Sequence, residues 1–196
     1  MVYKVKRQLK NTIAYICVLL MLPALMLYLF ARLFSADSAF ASFSQWLSLL
    51  PGKTGSYLRI AFYRYAMSEC HPDSVIGFAS LFSQQGTSIK KGVYIGPQCN
   101  IGLSTIGKNT LIASGVHIMS GKNQHNFSAL DTPIQQQGGH YEKISIGEDC
   151  WIGNGALVMA NIGKQCIVGA GSVVVSDVPD YAIVVGNPAK IVKMRK

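Results

Sequence analysis

From Ile76 onward an aliphatic residue returns at short intervals, most often six residues, and a glycine usually follows it. The pair recurs as Ile76-Gly77, Ile95-Gly96, Ile101-Gly102, Ile106-Gly107, Ile146-Gly147, Ile152-Gly153, Ile162-Gly163 and Val168-Gly169, while Ile112, Ile118, Val158 and Val174 keep the same frame. Four positions after each aliphatic stands a small side chain, as at Cys99, Thr110, Cys150, Ala156, Cys166 and Ser172. That residue and the next aliphatic are two apart, so on a strand they point to one side. The pattern predicts short strands joined by corners, with the glycines supplying the positive φ that a sharp corner needs. Such units stack into a coil whose inward side chains pack on the neighbouring coils, a β-helix of hexapeptide repeats. The frame shortens between Ile101 and Ile106 and between Val158 and Ile162, and lapses from Ile118 to Ile146. The lapse predicts a loop over residues 119–145 extruded from the solenoid, the kind of segment on which chemistry is placed.

The part before the repeat has other periods. Phe40, Phe43, Leu47 and Leu50 lie at helical spacing, Pro51-Gly52 breaks the run, and Leu58, Phe62 and Tyr65 form a second stripe with Arg59 and Arg64 elsewhere on the turn. These helices pack on the coil or lie on a membrane surface. Further upstream, Ile13 to Ala31 carries no charge. As a helix it reaches roughly 28 Å at ~1.5 Å per residue, about the thickness of a bilayer core. A signal peptide has a shorter apolar region and a small-residue cleavage site, so residues 12–34 read as a retained membrane segment. Pro23 sits in mid-run and predicts a bend into a re-entrant hairpin with both ends on one side. The expected organisation is a membrane-associated segment 1–35, a helical region 36–72, a β-helix domain 73–187 and a basic tail 188–196.

Composition sharpens this picture. Of 196 residues 49 % are hydrophobic and 14 % charged, too apolar for a disordered chain. The net charge of +9 is concentrated at Lys4, Lys6, Arg7 and Lys10 before the apolar run, and at Lys190, Lys193, Arg195 and Lys196 at the other end. The first group suits anionic head groups on the cytoplasmic side; the second faces an anionic cofactor or solvent. Neither is interleaved with aromatics as a nucleic-acid surface is, so no nucleic-acid partner is expected. Five cysteines, an odd number, argue against a disulfide framework. Cys99, Cys150 and Cys166 share one place in the repeat and read as small core fillers in a reducing compartment.

Three passages carry a family resemblance: Gly115-Val116-His117-Ile118-Met119-Ser120-Gly121 leading to Gln124-His125-Asn126-Phe127; Ile146-Gly147-Glu148-Asp149-Cys150-Trp151-Ile152-Gly153; and Val168-Gly169-Ala170-Gly171-Ser172, followed by Val178-Pro179 and Gly186-Asn187-Pro188-Ala189. Together they make Gly92 to Lys193 resemble bacterial sugar and polysaccharide O-acetyltransferases of the galactoside, maltose and serine acetyltransferase superfamily. Leu49-Leu50-Pro51-Gly52 and Arg59-Ile60-Ala61-Phe62-Tyr63-Arg64 resemble a subgroup linked to surface polysaccharides. The resemblance implies a left-handed parallel β-helix, a homotrimer with active sites between neighbours, acetyl-CoA as co-substrate, no metal, and direct transfer of acetyl to a sugar hydroxyl in a ternary complex. The expected place is the bacterial inner membrane, with the catalytic domain on the cytoplasmic side.

Acetyl transfer to an alcohol needs a base for the hydroxyl proton and a donor for the developing oxyanion, and histidine suits the first task near neutral pH. His71, beside Pro72, reads as structural. His117 precedes Ile118 in the frame and so faces outward, towards solvent. His140 follows Gly138-Gly139 in the loop and lines the pocket. His125 occupies the position at which the family carries its catalytic histidine. Asp131, Glu142, Asp149 or a backbone carbonyl orients it; the residues do not choose among them. Trp151 faces outward, as a pocket wall or a subunit contact. By position in the family, Asn154, Ala170, Val175 and Ser176 are expected along the pantetheine arm and Lys190 and Lys193 near the phosphates. Ala170 serves equally as plain corner packing, and Val175-Ser176 departs from a frequent Thr-Lys. Asn100, outward and upstream, is a candidate acceptor contact. Two rival readings share the coil. A γ-type carbonic anhydrase holds zinc with three histidines, but His117 and His125 are eight apart and have no matching third. A catalytically inactive scaffold at the membrane would not need the His125 loop.

Overall fold

The structure, a computed structural model, describes the backbone of residues 2–196 and the side chains from residue 8 on. Lys4, Lys6 and Arg7, read above as head-group contacts, therefore have side chains outside the described residues. Three helices, α1 (Val2–Ala31), α2 (Ala36–Ser48) and α3 (Gly52–Ala66), precede a parallel β-solenoid of about six turns. The first coil holds β1 (Glu69–Cys70), β2 (Val75–Ile76) and β3 (Leu81–Phe82). The second holds β4 (Ser88–Ile89), β5 (Tyr94–Ile95) and β6 (Asn100–Ile101). The third holds β7 (Ser104–Ile106), β8 (Leu111–Ile112) and β9 (His117–Ile118), and the fourth β10 (Ile144–Ile146), β11 (Trp151–Ile152) and β12 (Leu157–Val158). In the fifth, β13 (Ile167–Val168) and β14 (Val173–Val174) follow a single bridge at Ile162; in the last, β15 (Ala182–Gly186) follows one at Val178 and the chain ends on β16 (Ala189–Met194).

Stacking gives three sheets: β1-β4-β7-β10, β2-β5-β8-β11-β13-β15-β16, and β3-β6-β9-β12-β14. The second residue of nearly every strand points inward, so Ile76, Ile95, Ile101, Ile112, Ile152 and Val168 form the core. The small fillers complete it: Cys99, Cys150 and Cys166 are buried and unpaired. Their thiols donate to Ala113, Gly163 and Pro179 carbonyls on the next coil, at 3.1, 3.0 and 3.1 Å.

The corners differ from the sequence expectation. The glycine directly after each aliphatic does not take positive φ; that conformation falls two residues later, at Asn109, Asp149, Gln165, Gly115, Gly155 and Gly171. The first glycine is required by close approach instead. A Cβ on Gly147 would lie 2.5 Å from Lys164 N in the next coil, and Gly107 is equally tight against Glu148 N. Stacked corners leave no room for a side chain, while Asn and Asp tolerate the left-handed region where it is needed.

Three boundaries also move. The solenoid begins at Glu69, inside the region expected to be helical, because β1 pairs with β4. Residues 188–196 are no loose tail: β16 pairs antiparallel with β15 through the turn at Asn187-Pro188, which satisfies the last parallel edge, and its lysines deter further strand addition. Helix α1 runs unbroken through Pro23, so the re-entrant hairpin does not form. Proline removes one intrahelical hydrogen bond, but Cys17 and Met21 before it and Leu25 and Tyr28 after it are all buried on one side of the helix, against the α2–α3 layer.

Helices α2 and α3 pack on all three strands of the first coil and close that end of the prism. Arg59, expected on a polar face, is fully buried, while Tyr65 is exposed. Its guanidinium donates to Leu47 O (3.1 Å), Leu50 O (2.6 Å) and, with two nitrogens, Ile76 O (3.2 and 2.9 Å). Ser56 Oγ accepts from Ile76 N, and Ser44 Oγ accepts from Phe82 N and from the Tyr63 hydroxyl. The cap thus takes up the backbone groups that a first coil leaves without a partner.

Candidate active site

The three faces of the prism differ in what they present outward. On the first sheet the outward row is Glu69, Ser88, Thr105 and Ser145, polar throughout. On the second it is Val75, Tyr94, Leu111, Trp151, Ile167 and Ile183, apolar along its whole length. On the third, Leu81, Asn100, His117, Leu157 and Val173 succeed one another, so two polar side chains sit in an otherwise apolar row. Trp151 is 53 % exposed in the apolar row, outward as its frame position requires.

The extruded loop leaves the prism between β9 and β10, slightly shorter than expected because Ile144 and Ser145 already belong to β10. It folds back on itself. Asn126 N donates to Gly138 O (3.0 Å) and His140 N to Asn123 O (2.9 Å), so its two arms run side by side. Gly139 lies against Gln124 and His125 so closely that a Cβ there would overlap the Gln124 carbonyl. Further out, Gln137 holds the tip: its amide donates to Ala129 O (2.8 Å) and Thr132 O (2.7 Å), and its oxygen accepts from Ala129 N. At the root, Glu142 N donates to Ser120 O, and the Glu142 side chain lies over Gly121.

This arrangement places His125 and His140 on facing arms, both exposed and outside the prism interior. Gln124, the neighbour of His125, lines a groove of about 420 Å³ on the third face together with Ser83, Asn100, His117, Ser120 and Leu157. His117, read as a solvated residue, therefore shares a groove with the root of the His125 arm, and Asn100 stands beside it on the next coil. The signal was present in the frame, since both residues immediately precede an inward isoleucine. Of the three acids offered as partners for His125, Asp149 is held at another corner, where it accepts from Gln165 (3.1 Å), and Asp131 accepts from Thr132. Glu142 stays at the loop root.

The residues expected to hold the cofactor divide into two corner rows. Asn154 and Ala170 stack at one corner, tied by the Gly171 N to Asn154 O bond of 2.8 Å. Val175 and Ser176 occupy the next corner, where they line a cavity of about 420 Å³ with Pro188, Ala189, Lys190 and Ile191. Val175 and Ser176 also line a second cavity, of about 340 Å³, with Lys122 and Glu142 of the loop root. Lys193 lies apart, opposite Ile183 on β16. Small side chains at these corners, with Lys190 lining the cavity at the second, suit an extended, anionic ligand. Among the described residues, no three His, Cys, Asp or Glu side chains converge as a metal site would need.

No protein-family model matches the sequence, and no curated relative does. Solved structures do match. A maltose O-acetyltransferase from Clostridium difficile 630 superposes with a TM-score of 0.69 at 20 % identity, over 83 % of this chain and 89 % of its own. A hexapeptide-repeat-containing acetyltransferase from Vibrio cholerae O1 biovar eltor, complexed with acetyl coenzyme A, gives 0.63 at 22 % identity over 85 % and 90 %. A polySia-specific acetyltransferase gives 0.51 at 25 % identity over 63 % of this chain and 59 % of that one. The likeness is one of fold: the chain is built as hexapeptide-repeat acetyltransferases are built.

Proposed function

We propose that the chain is an acetyl-CoA-dependent O-acetyltransferase that modifies a hydroxyl of a sugar or polysaccharide precursor. The observation that carries the reading is the exposed His125 on an arm fixed by Gly139, beside a polar groove on one prism face. The co-substrate supplies a thioester carbonyl as acyl donor. Val175, Ser176 and Lys190 bind it, Lys190 meeting its phosphates as a point charge. Asn154 and Ala170 flank the arm, with Lys193 further along β16. The groove with Asn100 and His117 receives the acceptor. His125 takes the hydroxyl proton as the oxygen attacks, and the same proton leaves with the CoA thiol. His140 and Trp151 wall the pocket and exclude water.

A homotrimer completes the site in this reading. Leu130 at the loop tip is 99 % exposed, and Phe127 and Ile134 further along the loop and Tyr141 at its root are exposed too. These side chains and the apolar row around Trp151 are surfaces that a second and third copy would bury. Helix α1 associates with the cytoplasmic face of an inner membrane, where acetyl-CoA is available and a lipid-linked sugar is the natural acceptor.

Replacing His125 by Ala tests the catalytic reading. Acetyl-CoA turnover with a sugar acceptor should fall by about 10²–10⁴-fold. Turnover that survives unchanged would remove His125 from the reaction, and a native chain without turnover would belong to the class of inactive scaffolds. Mass spectrometry of surface glycans from a deletion strain identifies the acceptor.

A further inference from the structure

Helix α1 is apolar around its whole circumference, yet the protein covers only one side of it. An 18-residue window within Gln8–Ala31 has a mean hydropathy of 2.5. Cys17, Met21, Leu25 and Tyr28 are buried, whereas Tyr15, Ile16, Leu19, Met26 and Phe30 on the opposite arc are exposed. The helix is also tied down at two distant points. The Lys10 ammonium bonds Asp73 (2.8 Å), at the first coil, and holds that carboxyl below its usual range; the Tyr28 hydroxyl donates to Gln85 (3.3 Å), after β3. Those contacts are eighteen residues apart, roughly 27 Å at ~1.5 Å per residue. Between them α1 lies along α3, which carries Lys53, Arg59 and Arg64 and is itself packed on the first coil. A helix held in this way cannot cross a bilayer unless α3 and the first coil enter the hydrocarbon with it, and their charges forbid that.

We propose that α1 docks in the plane of one leaflet of an anionic membrane, with its outer arc embedded and without crossing. This rests on the reading of α1 as a membrane element and is independent of the acetyl-transfer reading. Charge selects the occupant. All nine acidic residues lie at Asp37 or beyond, while Lys4, Lys6, Arg7 and Arg32, besides the Asp73-paired Lys10, bracket the apolar stretch. Two copies paired through this face, in either orientation, would bring basic ends together with no acid on α1 to neutralise them. Anionic head groups do neutralise them. The second helix extends the surface. Phe43 and Trp46 of α2 form, with Pro23, Ala24 and Leu27 of α1, an apolar groove of about 460 Å³ open to the same side. The groove suits an acyl chain, and a half-exposed tryptophan at its wall favours the head-group boundary.

The test uses the full chain, purified in detergent and mixed with vesicles of phosphatidylcholine, with or without phosphatidylglycerol. Leu19→Cys, Met26→Cys and Phe30→Cys are each labelled with a fluorophore; the five native thiols are buried. The protein should float with the phosphatidylglycerol vesicles, and lipid-borne quenchers should report one common shallow depth at all three positions. A Leu19→Glu/Met26→Glu variant should lose flotation while keeping the circular dichroism spectrum and melting midpoint of the unsubstituted protein in detergent, which shows that it folds. Absence of flotation would overturn both the proposal and the membrane reading. Flotation with a depth that changes along the helix would overturn the in-plane arrangement and leave the membrane reading standing.

Discussion

Inside the prism every position of one coil is answered by the same position of the next. Cys150 donates to the carbonyl of Gly163, and Cys166 repeats the bond to Pro179 one coil later. Loop 119–143 has no such repetition. Its shape depends on single contacts, with Gly139 against Gln124 and Gln137 gathering the tip, and its apolar side chains point outward. The prism is stabilised by many equivalent contacts and tolerates no side chain at corner glycines such as Gly107 and Gly147. The loop is positioned by few contacts and spends its side chains on what lies outside. Stability and chemistry therefore occupy different parts of the chain, and substitutions should separate them.

The largest expected effect is on the loop side. His125→Ala should lower turnover by about 10²–10⁴-fold and leave the thermal midpoint of an exposed residue's host unchanged; a matching fall in stability would blur the division. The cap should behave in the opposite way. Arg59→Ala would leave the Leu47, Leu50 and Ile76 carbonyls without their donor in a buried site. A loss of about 3–5 kcal/mol is expected in urea unfolding, with turnover per folded molecule retained. Gly139→Val joins the two regimes. It pushes the arms of the loop apart and misplaces His125 by a fraction of an ångström or more, so turnover should drop roughly 10–100-fold with little change in unfolding midpoint. The most gradual effect is on pH. Burial raises the Cys70 thiol to about 12 and Cys150 to about 11, above the usual 9. Both stay protonated in the folded protein where the unfolded chain ionises. Their stabilisation is thus complete below pH 9 and is lost as pH rises towards 11 and 12, at most about 1.4 kcal/mol per pH unit for each. Thermal melts in that range should flatten when Cys150 is replaced by Ala.

The solenoid was legible because a six-residue period states itself many times over. Ile95, Ile101, Ile152 and Val168 each repeat the message, and a local irregularity such as Ile101 to Ile106 leaves the rest intact. The loop was legible only as an interruption, and its histidines by likeness to a family. Arg59 was legible only as lying off the apolar stripe; the carbonyls of Leu47, Leu50 and Ile76 that bury it are acceptors that no local pattern announces. The corner glycines were read for the wrong property, since sequence shows that a side chain is missing but not whether torsion or proximity removed it.

By itself, then, the sequence determined what repeats: the inward side of every strand, the triangular stacking, the small fillers and the place where the coil opens. Tertiary structure alone decided what depends on a single meeting of distant segments. Pro23 stayed within a continuous helix because buried side chains on both sides of it anchor α1 to the helical layer. The last residues became a strand because β15 offered an unpaired edge. Asn100 came beside His117 because one turn of the prism returns the chain to the same face. Periodicity is a local property that each residue carries with it, whereas an encounter between remote parts exists only once the chain has closed on itself.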